Sequence, residues 1–447
     1  MAVKMTECAC SKSELDVCRP IDVQVAMSEG RWQPYYPINA ISAGSGVAEF
    51  SIPGTANEVI DMNNCSLYIR GKVKKDSATA LVAGNKIFPA NNMLHSMIRH
   101  IDLSINGQLV TRAGKDYPYK AMLMKLTQTD MPGAGKVDPQ LILEGFVMDD
   151  AGENKSVEGD AASAGGKVRA KLIATSRSFE LIGTPCIDLF QCDRSLLMGS
   201  DIALKVYFNE PAFYLIDNTA TAEDKTTAPI LTIEEIELRV RRVQIAPSFV
   251  NAILTEVQQR DAIYPFTRRE MLTFNIPTGT SQITKENIFR GYLANRFFVA
   301  MVNSDAYNGA LKENPFYFHH FDLKEISLAE NGLYMAHNPL KMDLAEGNRG
   351  VIPYRHLMES IGAIGERALS TPLTYDHFIN GSSIICFSRS PDLTHGMNHL
   401  PPQTASITLQ MLFKAATTKN ITVIVMAEYD SRIQITKDNN VVTDYAI

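Results

Sequence analysis

The chain has 447 residues, 45% of them apolar and 21% charged, which are the proportions of a folded globular protein and exclude global disorder. Its length exceeds what one hydrophobic core usually serves, so two domains are expected. A net charge of −6 excludes a chain whose main business is gripping phosphate backbones, because that affinity comes from clustered Lys and Arg.

The opening residues mix Lys4, Glu7, Lys12, Glu14 and Asp16 without the apolar run of a secretory leader, and residues 1–20 are predicted to form an N-terminal arm. Cys8, Cys10 and Cys18 lie in that arm. With Cys65, Cys186, Cys192 and Cys386 they make an odd total of seven, which predicts free thiols and synthesis in a reducing, intracellular compartment. Nothing completes four metal ligands around Cys8-Ala9-Cys10. Trp32, Tyr35 and Tyr36, set between Pro34 and Pro37, read as an extended segment ahead of the first strand.

Strands are predicted at 47–52, 66–73, 101–105, 202–208 and 233–243, then at 271–276, 296–302, 384–387, 407–413 and 421–429. Each is rich in β-branched and aromatic residues and bounded by Gly, Pro, Asn or Asp. Within 233–243, Ile236, Leu238 and Val240 alternate with charged residues, the two-residue period of a half-buried strand. The polar stretches 130–167 and 217–229 are predicted to be long exposed loops. Helices are predicted at 118–126 and 354–361. A third, at 247–257, has Pro247 in its first turn and Phe249, Val250, Ile253, Leu254 and Val257 at helical spacing, and serves as a linker. No apolar run is long enough to cross a membrane as a helix.

Three signatures occur twice, in the same order. Phe50-Ser51-Ile52-Pro53-Gly54-Thr55 is echoed by Phe274-Asn275-Ile276-Pro277-Thr278-Gly279-Thr280. His100-Ile101-Asp102-Leu103 leading to Asn106-Gly107 is echoed by His320-Phe321-Asp322-Leu323 leading to Asn331-Gly332. Pro118-Tyr119 is echoed by Pro353-Tyr354. A repeat this long is a whole domain, so a β domain copied in tandem is expected, with His100 and His320 at one strand position in the two copies.

The catalytic and metal-binding patterns are incomplete. Gly133-Ala134-Gly135-Lys136 lacks the leading glycine and the Ser or Thr of a phosphate loop. His395 and His399 flank Gly396 and precede Pro401-Pro402, which oppose the helix that would align both rings. Arg239, Arg241, Arg242, Arg268 and Arg269 are the candidates for nucleic-acid contact, with ion pairing to Glu234, Glu235 or Glu237 as the competing reading. No catalytic, cofactor or metal residues are assigned, and no enzyme activity is expected.

The second half resembles a particular family. Arg241-Arg242-Val243, Ala262-Ile263-Tyr264-Pro265-Phe266-Thr267-Arg268, Asn314-Pro315-Phe316-Tyr317-Phe318, Tyr375-Asp376-His377-Phe378-Ile379-Asn380-Gly381, Ser390-Pro391-Asp392-Leu393 and Val423-Ile424-Val425-Met426-Ala427-Glu428-Tyr429-Asp430 carry the likeness. So does Leu189-Phe190-Gln191, followed by Leu196-Leu197-Met198-Gly199-Ser200-Asp201-Ile202. Together they resemble the double jelly-roll major capsid proteins of Polinton (Maverick) elements and adintoviruses, of the hexon-like lineage. The resemblance implies an all-β chain of two tandem eight-stranded jelly-roll sandwiches with short helices in loops. They would occupy residues 21–244 and 263–447, joined by a linker helix within 245–262. It further implies a homotrimer that forms a pseudo-hexameric capsomer, and capsomers that tile an icosahedral capsid around double-stranded DNA. The implied partners are other copies of the chain and a penton or minor capsid protein, with genome contact weak or indirect. The implied place is the virion, after synthesis in the host nucleus or cytoplasm. Jelly rolls also serve other ends, so a monomeric tandem carbohydrate-binding module is the alternative. A cupin-like metal cage is disfavoured, since adjacent His319 and His320 on a strand would point to opposite faces.

Overall fold

The computed structural model describes residues 23–39, 41, 46–76, 79–81, 87–111, 114, 116–128, 138–149, 151, 164–217, 229–289, 291–335, 339–345, 349–364, 371–389 and 401–445. Cys8, Cys10, Cys18, the 133–136 turn, the 390–393 segment, the His395 and His399 pair and most of the two polar loops lie outside the described residues.

The strands run in chain order as β1 (Met27–Tyr35), β2 (Val47–Ile52), β3 (Glu58–Lys74), β4 (Ile87–Pro89), β5 (Ile98–Ile105), β6 (Gln108–Leu109), β7 (Phe179–Gly183), β8 (Ile202–Phe208), β9 (Leu215–Asp217) and β10 (Ile230–Ile245). The second series is β11 (Ala262–Ile276), β12 (Gln282–Lys285), β13 (Arg296–Asn303), β14 (Leu323–Glu330), β15 (Leu333–Tyr334), β16 (Leu340–Lys341), β17 (Ile385–Ser388), β18 (Ile407–Phe413), β19 (Ile421–Ile435) and β20 (Val441–Thr443). Helices α1 (Met93–Ser96), α2 (Tyr117–Gln128), α3 (Pro139–Leu143), α4 (Ala164–Ile173), α5 (Pro211–Tyr214), α6 (Pro247–Gln259), α7 (Ser304–Tyr307), α8 (Val351–Ser360) and α9 (Tyr375–Ile379) lie between them.

Four antiparallel sheets make two sandwiches. The first has sheets β1-β10-β3-β7 and β2-β8-β5-β6, and the second has β11-β19-β13-β17 and β12-β18-β14-β15. Leaving aside the accessory strands β4, β9, β16 and β20 and ranking the remaining eight of each series by chain position, both sandwiches give the orders 1-8-3-6 and 2-7-4-5. One wiring diagram therefore occurs twice, and it is the jelly roll.

Local chemistry explains the elements. In β8, Ile202, Leu204, Val206 and Phe208 are buried in alternation, the two-residue period of a strand with one face in the core. In β13 the whole run Phe297-Phe298-Val299-Ala300-Met301-Val302 is buried, so both faces of this central strand are covered. Burying each of its phenylalanines contributes roughly 1.5–3 kcal/mol. The helix predicted at 247–257 is α6, yet only Val250 in it is buried. Val250 joins Val59, Met198, Val243 and Ile245 in a small cluster beside the main core.

Some expectations are corrected. Phe50 lies near the end of β2, the second strand of its sandwich, whereas Phe274 lies near the end of β11, the first strand of the other, so these two signatures are not equivalent. His100 lies within β5, while His320 precedes β14. Counting back from the two Asn-Gly turns, Glu325 is the counterpart of His100. The aromatic segment around Trp32 is itself the first strand, β1. Among the described residues it pairs with β10 alone, which accommodates Pro34 as an edge strand can. The loop predicted over 130–167 is not uniformly exposed: it contains α3, capped by Asp138, and Leu141, Glu144 and Phe146 are fully buried. His319 and His320 lie ahead of a tight turn instead of on a strand, with Phe321 and Asp322 of that turn at positive φ, and the two imidazole rings stack with centroids 4.5 Å apart.

Candidate functional site

The chemistry-bearing residues converge where the two sandwiches meet. A short helical turn, Asp188–Gln191, packs on β11 and presents a carboxylate to Arg269. The Arg269 backbone N–H donates to Asp188 Oδ2 at 2.9 Å. Its Nε donates to Glu428 Oε1 at 2.9 Å, Nη1 to Asp188 Oδ1 at 3.2 Å and Gln191 Oε1 at 2.9 Å, and Nη2 to Gln128 Oε1 at 2.9 Å. Gln128 in turn donates to Glu428 Oε1 at 2.7 Å. Arg296 holds Glu428 Oε2 at 2.6 Å, and Lys120 reaches Asp188 Oδ1 at 2.8 Å. Burial pushes the Glu428 carboxyl up, but Arg296 and Arg269 outweigh it and hold the group below the usual carboxylate range. Charges removed from water this fully are tolerated only when paired and hydrogen-bonded.

Around this network the contact is both apolar and polar. Tyr119 of the first sandwich stacks on Tyr307 of the second at 5.5 Å and meets Phe316 edge-on at 5.7 Å. The Tyr307 hydroxyl donates to Asp116 at 2.6 Å, Tyr445 donates to the Val110 carbonyl at 2.7 Å, and the Leu197 N–H donates to the Tyr264 hydroxyl at 2.9 Å. One continuous hydrophobic cluster includes residues of both sandwiches. Against the ionic network lies a cavity of about 360 Å³, walled by Lys120, Cys186 and Asp188 on one side and by Arg268, Arg269 and Tyr445 on the other.

The five candidate arginines do not form one basic surface. Arg269 is enclosed as described. Arg242, 1% exposed, donates to the Tyr35 hydroxyl, the Pro53 carbonyl and Thr55, and pairs with Glu58. Arg268 pairs with Glu270 and lies over the rings of Tyr429 and Tyr445 at 4.4 and 4.8 Å. Arg239 and Arg241 are 49% and 37% exposed and pair with Glu237 and Asp61. Each of the five pairs with a carboxylate, but only Arg239 does so with one of the three glutamates expected, Glu237. Lys120, Gln128, Asp188, Gln191, Arg296 and Glu428 are the members of the network that reasoning from sequence did not assign. Their one signal is Glu428 directly after the apolar run Val423–Ala427 on a buried strand, where a charge demands a partner. Among the described residues, no three His, Cys, Asp or Glu side chains are grouped to hold a metal ion.

The fold has close parallels among solved structures. A chain of the Sputnik virophage, determined by cryo-EM, superposes with a TM-score of 0.65 at 12% identity, covering 100% of this chain and 94% of the other. The mavirus major capsid protein gives 0.54 at 12% identity, covering 99% and 96%. The Faustovirus major capsid protein gives 0.56 at 9% identity, covering 94% and 93%. The chain is a double jelly roll. No family model matches it. An uncharacterised protein of Caenorhabditis elegans is 23% identical over 390 residues, covering 86% of this chain and 87% of that protein. In this double jelly roll the junction acts as a structural clamp: Asp188 meets Arg269 across it, Glu428 meets Arg269 and Arg296 from the strands beside it, and Lys120 backs Asp188 within the first sandwich.

Proposed function

We propose that this chain is a major capsid subunit of the Polinton and adintovirus type, which trimerises into a pseudo-hexameric capsomer that tiles an icosahedral shell around double-stranded DNA. The observation that carries this reading is the repeated wiring diagram. Two like sandwiches clamped side by side give a three-fold assembly six similar lobes, so a trimer fills a six-neighbour position in a lattice. Full-length similarity in fold to the mavirus and Faustovirus major capsid proteins supports the capsid role. The nematode relative, aligned over most of its length, supports a lineage carried in animal genomes.

The surface also supports self-association. Among the described residues edge strand β1 pairs with β10 alone, and it carries Trp32, 51% exposed, with Val25, Met27 and Ile38 also exposed near it. Phe249 and Leu254 of α6 are likewise exposed. A sheet edge and apolar side chains in water are liabilities for a solitary protein and assets for one that assembles. Obligate interfaces of this kind bury roughly 2,000–5,000 Å². Neighbouring capsomers and a penton or minor capsid protein are the partners on this reading, and the virion is its place. Arg239 and Arg241, the most exposed of the five arginines, are the remaining candidates for contact with DNA.

Size-exclusion chromatography with light scattering tests the proposal. A stable mass near three chains is expected, with hexagonal outlines in micrographs. A monomer that stays monomeric under assembly conditions would overturn it and favour the carbohydrate-binding alternative.

A further inference from the structure

The cysteine in the wall of the junction cavity lives in different surroundings from the other three described. Burial pushes the Cys65 and Cys386 thiols up to about 12, and it raises Cys192 as well. Cys186 follows β7 and meets side chains from three helical segments. His95 of α1 places Nε2 4.0 Å from Cys186 Sγ and 3.3 Å from Glu144 Oε2, just beyond α3. Lys125 of α2 sets its ammonium 2.7 Å from the same Glu144 oxygen. Tyr117, also of α2, accepts the Cys186 N–H at 3.0 Å and lies 2.9 Å from His95 Nδ1. With His95 protonated, two cations and one carboxylate surround the sulfur, a positive excess that a thiolate neutralises. Burial raises the Cys186 thiol, but His95 and Lys125 outweigh it and bring the group below its ordinary value of 9.0.

We propose that Cys186 is a redox-modifiable thiol, oxidised to a sulfenic acid by a small hydroperoxide admitted to the cavity between the sandwiches. Three observations place it there: the cavity of about 360 Å³ that Cys186 lines, the imidazole 4.0 Å from its sulfur, and the carboxylate and ammonium that fix that imidazole. In the step, the thiolate sulfur attacks the terminal peroxide oxygen. The S–O bond forms as the O–O bond breaks, sulfur loses two electrons to the peroxide, and the departing alkoxide or hydroxide takes the His95 proton to leave as alcohol or water. The proposal stands whether or not the chain assembles.

The test uses the full chain, treated with one equivalent of hydrogen peroxide in the presence of dimedone, then unfolded, alkylated and mapped by mass spectrometry. The Cys186 adduct is expected to form at least about tenfold faster than adducts at Cys65 and Cys386. Equal rates at the three sites in the wild-type chain would overturn the proposal, and this comparison decides even if no variant folds. In His95→Gln, with Cys65 and Cys386 still protected as evidence of folding, Cys186 labelling is expected to fall by about tenfold. Labelling that persists at the wild-type rate in such a folded variant would also overturn it.

Discussion

His95, Glu144, Lys125 and Cys186 show how buried titratable residues set one another's protonation. Burial by itself opposes charge on His95, but Cys186 and Glu144 outweigh it and raise the imidazole from 6.5 to about 9. Burial likewise opposes charge on Glu144, and His95 with Lys125 outweighs it, lowering the carboxyl from 4.5 to about 2. The signs of the linkage follow. Glu144 contributes stability that is fully present above pH 4.5 and is lost as the pH falls towards about 2. His95 contributes stability that is fully present below pH 6.5 and is lost as the pH rises towards about 9. Cys186 has the opposite dependence to His95, because its lowered thiol releases a proton in the folded state that the unfolded chain keeps until about pH 9. Where both act, the folded imidazolium–thiolate pair and the unfolded imidazole–thiol pair hold the same number of protons, so their slopes cancel. Cys186→Ser removes that cancellation. In Cys186→Ser the imidazole keeps only Glu144 to hold its proton against burial, so urea-unfolding midpoints are expected to decline over a window that opens near pH 6.5 and closes below pH 9, where the wild-type chain stays flat. Parallel curves would show that the thiol and the imidazole do not share a proton. None of these residues stood out in the sequence, because their pairing depends on α1, α2 and α3 packing together.

Turns were the most legible elements, since their chemistry is local. Asn106-Gly107 links β5 to β6, and Asn331-Gly332 links β14 to β15. Both pairs adopt positive φ, 51° and 78° in the first turn and 49° and 84° in the second. The helices carrying Pro118 and Pro353 also hold corresponding places, each between the fifth and sixth strands of its sandwich. The Phe-x-Ile-Pro signature misled because proline and glycine end strands of any rank, so Phe50 and Phe274 share turn chemistry without sharing a position. Strand β1 went unread because two prolines bracket its end, and that pattern resembles an extended linker. A Cβ at Gly107 or Gly332 would meet nothing within 4 Å, so substitution there strains only the backbone. Gly107→Ala and Gly332→Ala are each expected to cost about 1–2 kcal/mol in urea unfolding, with the fold retained. A variant as stable as the wild-type chain would mean that its turn does not need the left-handed geometry.

At the scale of the whole molecule, the twofold architecture could be read from length and from the echoes that hold, the two Asn-Gly turns and the two Pro-Tyr helices, but the clamp between the sandwiches could not. Its members are Lys120, Gln128, Asp188, Arg269, Arg296 and Glu428, too far apart in the chain for any spacing rule to connect. Composition offered charged residues on strands otherwise rich in apolar ones, Arg268, Arg269 and Glu270 on β11 and Glu428, Asp430 and Arg432 on β19, without saying which of them pair. Once β11 and β19 lie side by side, Arg269 is set directly opposite Glu428, and the Asp188 turn closes over the pair. Because the hydrophobic cluster is continuous across this junction, neither sandwich can open there without stranding buried charge and exposing the stacked Tyr119 and Tyr307. The two are therefore expected to unfold together, giving one calorimetric transition whose measured and van't Hoff enthalpies agree. Arg269→Met leaves Asp188 and Glu428 short of their shared cation and should cost about 3–5 kcal/mol. Arg260→Met is the control, since Arg260 pairs with Glu256 on the surface of α6 with its side chain 81% exposed, and no measurable loss is expected. Two resolved transitions in the wild-type chain, or equal effects of the two substitutions, would show that the sandwiches are merely tethered; a single transition that weakens only with Arg269→Met would identify this buried ion cluster as what makes them one rigid block.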